Sequence, residues 1–141
     1  MSNLAFNYND GGRSQYFRAA GVGDCVTRSI AIASGRDYKE VYDLIFRIAK
    51  KTPRDGVTNT VIRKVMKELG AEWVPTMSIG SGCKCHLRAG EIPMVGSIVC
   101  NVSRHLTAVI DGVINDTFDP SREGNRCVYG YWWFGKKGGA Q

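Results

Sequence analysis

The spacing of apolar residues changes once along this chain, at Gly70, dividing it into a helical half and a strand-rich half. In the first half, the apolar residues Ile30 to Ala33 go almost all the way round a helix. That pattern predicts a buried helix from Asp24-Cys25 to about Ser34, with Gly35 as its stop. Asp37 and Glu40 have capping-box spacing, and Val41, Leu44, Ile45 and Ile48 follow at helical intervals to about Lys51. Pro53 and Gly56 interrupt, and a third helix beginning near Thr58 carries Val61, Ile62, Val65, Met66 and Leu69 on one face.

After Gly70 the runs are short and strand-like: Ala71 to Pro75, Ser97 to Val102, His105 to Ile110, Val113 to Phe118, and Arg126 to Phe134. An irregular passage, Met77 to Pro93, lies between the first two. Residues 1–20 read as an arm or weak hairpin around Asn9-Asp10-Gly11-Gly12, and residues 135–141 as a frayed tail. Helices first and antiparallel strands second predict one α+β domain over residues 1–141, a three-helix half followed by an antiparallel sheet.

Asp111-Gly112, between Ile110 and Val113, predicts a two-residue type I′ hairpin turn. Such a turn sets Ile110 opposite Val113, Thr107 opposite Asp116 and His105 opposite Phe118. His105, Thr107, Val109, Ile114, Asp116 and Phe118 then share one face, with Asp116 the diagonal neighbour of His105. A three-residue loop would reverse the face and bring Asn115 to the histidine instead.

Composition limits the function classes. The chain has 141 residues, 43% hydrophobic and 23% charged, an ordinary balance for a folded domain with its own core. Met1 to Asn7 lacks a basic region followed by an apolar block, and no apolar run approaches bilayer-spanning length. With five cysteines and no export pattern, a cytoplasmic protein with reduced thiols and no membrane partner is expected. The net charge of +6 is concentrated between Arg36 and Lys67, where nine Lys/Arg stand against four Asp/Glu, a local +5. Arg63, Lys64 and Lys67 face outward there, a solvated basic face or a surface for an acidic protein or nucleic acid.

The candidate chemistry begins at Cys25. A thiol in the first turn of a helix meets unpaired backbone N–H groups and partial positive charge, which favour the thiolate. Asp24 is the expected N-cap, its carboxylate accepting from those amides, and its charge opposes the thiolate. A second activating group is therefore required. His105, with Asp116 beside it to fix the ring's tautomer and stabilise its imidazolium, supplies a base and an orienter.

Gly23-Asp24-Cys25 opening a helix, then Arg104-His105-Leu106-Thr107-Ala108-Val109 and Ile114-Asn115-Asp116-Thr117-Phe118-Asp119, resembles the papain-like cysteine hydrolases. It is most similar to small stand-alone members carried by bacteriophages and bacteria, whose substrates are undefined. The resemblance covers roughly residues 20–120. It implies a helical half carrying the nucleophile, a sheet carrying the histidine and its partner, and a cleft between them. It also implies a hydrolase of peptidase or amidase type acting on an amide or thioester-like bond without a cofactor, in the host cytoplasm if phage-encoded. Cys25 would be the nucleophile, His105 the base, and Asp116 or alternatively Asn115 the orienter. The glutamine that papain-like enzymes place before the cysteine as an oxyanion donor is absent: Ala19 stands there between Arg18 and Ala20. The Cys25 backbone N–H would then have to serve as oxyanion donor with Gln15, Arg28 or another amide. The competing class is a binding module that kept the fold and engages its partner through the basic helices.

Cys83-Lys84-Cys85-His86 has the residue types of a zinc site, but a closed site needs four ligands, and Cys100 and Cys127 each lie alone in strand-like runs. No metal is expected; the passage reads as an exposed loop or as one bordering the cleft. Of Trp132 and Trp133 one must face the core, since neighbours in a strand alternate.

Overall fold

A computed structural model of the chain describes residues 3–17, 24–53 and 56–136. The turn Gly21-Val22-Gly23, the position of Ala19 and residues 137–141 of the tail lie outside the described residues. Among those described, the protein is mixed α+β, with three α-helices and a six-stranded sheet. The elements are β1 (Ala5–Tyr8), α1 (Cys25–Ser34), α2 (Tyr38–Ala49), α3 (Asn59–Leu69), β2 (Glu72–Pro75), β3 (Ser97–Val102), β4 (His105–Ile110), β5 (Val113–Asp116) and β6 (Gly130–Gly135).

The sheet runs β1-β5-β4-β3-β6-β2. Its hairpin has the expected register, with Ile110 opposite Val113, Val109 opposite Ile114 and Ala108 opposite Asn115. Both turn residues are left-handed, Asp111 at φ 48° and Gly112 at φ 78°, as a type I′ turn requires. The Asp111 carboxylate also accepts from the Gly96 amide at 2.7 Å, anchoring the turn to the entry of β3.

Two expectations about the sheet are corrected. It is not wholly antiparallel, because β1 pairs in parallel with β5. Residues 5–8 are therefore an edge strand and not half of a hairpin. Asn115 secures that edge: its Oδ1 accepts from Asn7 Nδ2 at 2.8 Å and from Asn9 Nδ2 at 3.2 Å. Beyond β1 the chain turns onto α2, where Tyr16 stacks on Tyr38 at 6.3 Å and Phe17 contacts Tyr42 at 5.3 Å between ring centroids.

β3 and β4 are buried on both faces, which is why they read as near-continuous apolar runs. On one face Val99, Leu106, Ala108, Trp132 and Phe134 pack with Val26, Ile30 and Ala31 of α1 and with the apolar faces of α2 and α3. On the other, Ile98, Val102, Val109 and Ile114 pack with Leu4, Leu87, Ile92 and Val128. The irregular passage therefore caps the second sheet face and does not border the cleft described below.

The helix ends follow their local chemistry with two exceptions. Thr58 caps α3 by accepting from Val61 N at 3.3 Å, and Gly35 and Gly70 end α1 and α3 in left-handed conformation. The capping box at α2 is half formed: Asp37 accepts from Lys39 N at 3.0 Å, but Glu40 takes Arg36 Nη1 at 2.8 Å instead of reaching back. At α1, Asp24 occupies the N-cap position without any side-chain cap bond. The reason lies in the site.

The cysteines also depart from expectation. Cys83 and Cys127 form a disulfide, with Cα atoms 5.8 Å apart, while Cys25, Cys85 and Cys100 are free. Backbone bonds from Leu87 N to Arg126 O and from Val128 N to Cys85 O, both 2.8 Å, bring the two segments together around it. Cys83 is thereby removed from any thiolate set, and no metal-ligating group of three His, Cys, Asp or Glu is found among the described residues.

The sheet's last strand tests the packing. A Cβ added at Gly130 would lie 2.3 Å from Trp73 Cη2, inside the ring that covers the β2–β6 pair. Gly130→Ala is expected to destabilise by about 1–3 kcal/mol, read as a lower urea midpoint with an unchanged slope.

Candidate active site

Three elements meet at the site: the start of α1, the start of β4 and the end of β5. Cys25 is the first residue of α1, partly exposed at the mouth of a cleft of about 450 Å³. The cleft is lined further by Asn59 and Ile62 from α3, Asn101, Arg104, His105 and Tyr129. His105 opens β4 after the two-residue turn Ser103-Arg104, in which Arg104 is left-handed at φ 58°. Arg126 clamps that turn through Nη2 bonds to the Ser103 carbonyl and, at 3.3 Å, to Ser103 Oγ.

The structure brings Cys25, His105 and Asp116 together. His105 Nε2 lies 2.7 Å from Asp116 Oδ2, which also accepts from Thr107 Oγ1 at 2.7 Å. The Cys25 sulfur lies within electrostatic reach of the His105 ring and of the Leu106 backbone amide. With Nε2 committed to the carboxylate, Nδ1 is the ring nitrogen left for the sulfur. Asn115, the alternative orienter, is engaged instead with Asn7, Asn9 and the Val113 carbonyl. That outcome follows from the two-residue turn, since alternation puts residues 115 and 116 on opposite faces.

The carboxylate's other oxygen explains the missing helix cap. Asp116 Oδ1 accepts from Thr117 N at 2.7 Å and from Arg28 Nη2 at 3.1 Å. Arg28 Nη1 in turn binds Asp24 Oδ1, while Asp24 Oδ2 accepts from Tyr38 OH at 3.1 Å and Arg13 Nη1 at 3.4 Å. Asp24 is thus turned inward to a guanidinium and a phenol, leaving the first-turn amides of α1 uncapped by it. Its charge, expected to oppose the thiolate, is neutralised by Arg28 and Arg13.

The electrostatics favour an ion pair. Burial alone would raise the Cys25 thiol pKa, but the His105 and Leu106 hydrogen bonds and the charges of His105 and Arg28 outweigh it and hold the thiol below its ordinary range. Burial likewise opposes a charged ring at His105, yet its bonds to Asp116 and Cys25, with their negative charges, push it up to about 9. Asp116, desolvated, is nevertheless held below the usual carboxylate range by His105, Thr107 and the Thr117 amide.

Other expected participants are not brought in. Gln15 is exposed in the short 3-10 turn Arg13–Gln15 and does not line the cleft. The side-chain amides that do line it belong to Asn59 and Asn101. Arg63, Lys64 and Lys67 are exposed on α3 and have no ion pair among the described residues, whereas Arg36, Lys39 and Arg47 pair with Glu40, Asp43 and Glu68. Thr107 and the Leu106 amide had no assigned role, and Arg28, a candidate oxyanion donor, instead binds Asp24 and Asp116 and does not line the cleft. Arg28 carried a signal, as a lone cation in an apolar helix four residues after Asp24, a spacing at which helix side chains meet.

No family model, curated protein or solved structure matches this chain.

Two outcomes test the network. Arg28→Met leaves Asp24 and Asp116 buried without their shared cation and is expected to cost about 3–5 kcal/mol, measured by chemical denaturation. The ultraviolet thiolate signal, taken as wild type minus Cys25→Ala, is expected to develop below the free-cysteine value of about 8.5. His105→Ala removes the hydrogen bond and the imidazolium charge, so the signal should move to higher pH.

Proposed function

We propose that this protein is a cysteine-dependent acyl hydrolase of papain-like type, cleaving an amide or thioester-like bond. The observation that carries the reading is the Cys25–His105–Asp116 relay at the mouth of an open cleft, with the 2.7 Å His105–Asp116 bond at its centre. A structural cysteine has no use for a buried, carboxylate-held histidine that raises its thiolate population.

The chemistry runs in two halves. The Cys25 thiolate attacks the substrate carbonyl carbon, forming a C–S bond as the carbonyl electrons move to oxygen. The uncapped amide of Cys25 at the start of α1 is the oxyanion donor we assign, since Gln15 is elsewhere. The intermediate collapses with cleavage of the carbonyl–leaving-group bond, and the His105 imidazolium protonates the departing amine or thiol. Water then gives a proton to His105 and its oxygen attacks the acyl-thioester. Collapse releases the acid and restores the thiolate and imidazolium. Asp116 holds the ring and remains ionised throughout.

The second reading, a papain-like binding module, draws on the exposed Arg63, Lys64 and Lys67, which have no ion pair among the described residues. It requires nothing of Cys25.

One experiment separates the two. A panel of chromogenic peptide amides and thioesters is expected to reveal turnover that Cys25→Ala abolishes and His105→Ala lowers by about a hundredfold or more. Activity should fall at alkaline pH as His105 loses its proton near 9. Iodoacetamide should label Cys25 faster than Cys85 or Cys100, in a reaction slowed by His105→Ala. If Cys25 labels no faster than the buried cysteines and charge reversal at Arg63, Lys64 and Lys67 abolishes capture of an acidic ligand, the binding module is the correct reading.

A further inference from the structure

A second sulfur site lies away from the Cys25 cleft. Cys83 is exposed and Cys127 half-buried, so their disulfide is open to solvent, unlike the buried thiols of Cys85 and Cys100. His86 Nε2 lies 3.6 Å from Cys83 Sγ. The opposite ring nitrogen is 3.0 Å from Glu91 Oε1, which also accepts from the His86 amide at 2.8 Å. Arg88 flanks the same arrangement, its Nε bonded to Glu91 Oε2 and its Nη2 3.0 Å from His86 Nδ1. Hydrogen bonds from the His86 ring and amide, outweighing burial, hold Glu91 well below the carboxylate range, at about 2, so it is a carboxylate at any working pH.

A disulfide that only braces a fold has no need of an oriented imidazole against one sulfur. We propose that Cys83–Cys127 is a thiol–disulfide exchange site whose co-reactant is a low-molecular-weight thiol, with Cys83 the leaving sulfur and His86, positioned by Glu91, the hydrogen-bond donor to its thiolate. The asymmetry selects the direction, because the better-stabilised thiolate leaves faster and the imidazole stands against Cys83 alone. The incoming thiolate attacks Cys127 Sγ, forming a mixed disulfide as the Cys83–Cys127 bond breaks. Cys83 departs with the electron pair as a thiolate, its charge met by the His86 Nε2–H that stands against it. A second thiolate then attacks the small-molecule sulfur of the mixed disulfide, releasing a symmetrical disulfide and the Cys127 thiolate. In sum, two small thiols are oxidised to one disulfide and the protein disulfide is reduced to two thiols.

The backbone makes the step reversible. The 2.8 Å bonds Leu87 N to Arg126 O and Val128 N to Cys85 O, with Leu87 and Val128 fully buried between them, hold residues 83–87 beside 126–128 without the covalent link. The reduced sulfurs therefore stay adjacent and can close again.

The test uses full-length Cys25→Ala protein, so that the outcome is independent of the hydrolase reading. The folded protein is equilibrated with mixtures of reduced and oxidised glutathione, then alkylated and mapped by peptide mass spectrometry. The Cys83–Cys127 link is expected to open and close with the glutathione ratio while Cys85 and Cys100 stay unreacted. His86→Ala should slow opening by about tenfold, and added imidazole should restore the rate. The proposal is overturned if Cys83 and Cys127 stay free or end as separate glutathione adducts at the oxidising ratio. It is equally overturned if His86→Ala opens at the wild-type rate, or if the slowed variant does not respond to imidazole, which would make His86 a structural residue only.

Discussion

The guanidinium of Arg28 holds the candidate site in one arrangement. It lies 6% exposed, between carboxylates that are themselves 1% and 2% exposed, Asp24 at the start of the same helix and Asp116 at the end of β5. Taking three charges out of water costs several kcal/mol per ion, and their mutual attraction offsets this only when the geometry is good and every remaining oxygen is paired. Here the pairing is close to complete: Tyr38 and Arg13 reach Asp24, and Thr107, Thr117 and His105 reach Asp116. Apolar side chains in place of all three charges together would hold the fold as well. What they could not do is fix the rotation of α1 against the hairpin, on which the meeting of Cys25 with His105 depends.

The same cluster resolves a local conflict. An aspartate immediately before a helix-start cysteine is both a good cap and a poor neighbour for a thiolate. The chain gives up the cap. Asp24 turns to Arg28, its side chain caps none of the first-turn amides, and the charge nearest the thiol is screened. With the thiolate–imidazolium pair formed, the anions Asp24, Asp116 and Cys25 face the cations Arg13, Arg28 and His105, so the buried assembly carries no net charge. An electroneutral cluster can persist in a low-dielectric setting where an isolated thiolate could not.

Much of this was legible in the sequence where local chemistry decides. The helices follow from apolar periodicity and their glycine stops, and Asp111-Gly112 alone determined which of Asp116 and Asn115 faces His105. What escaped reading depends on pairings distant in sequence. β1 joins β5 in parallel, and nothing in Ala5–Tyr8 encodes that partner. The Cys83–Cys127 link joins residues 44 apart, and neither cysteine lies in a helix or named strand that would give a register. Asp24 was misread because capping propensity is a local average, and a buried arginine one turn on outweighs it.

Asp116 is best understood through the number of its donors. A carboxylate serving only one histidine could compete with it for the proton once the ring becomes an imidazolium. Asp116 has four: Thr107 and His105 on one oxygen, Thr117 N and Arg28 on the other. Each favours its ionised form, and together they make it a weak base. The proton shared with His105 therefore stays on nitrogen, and the carboxylate acts by position and charge alone. An asparagine could hold the ring at the same distance but could not supply that charge, and the imidazolium would lose the partner that raises it. The register set by a two-residue turn and the charge set by a buried arginine thus reach the thiol through the same two oxygens.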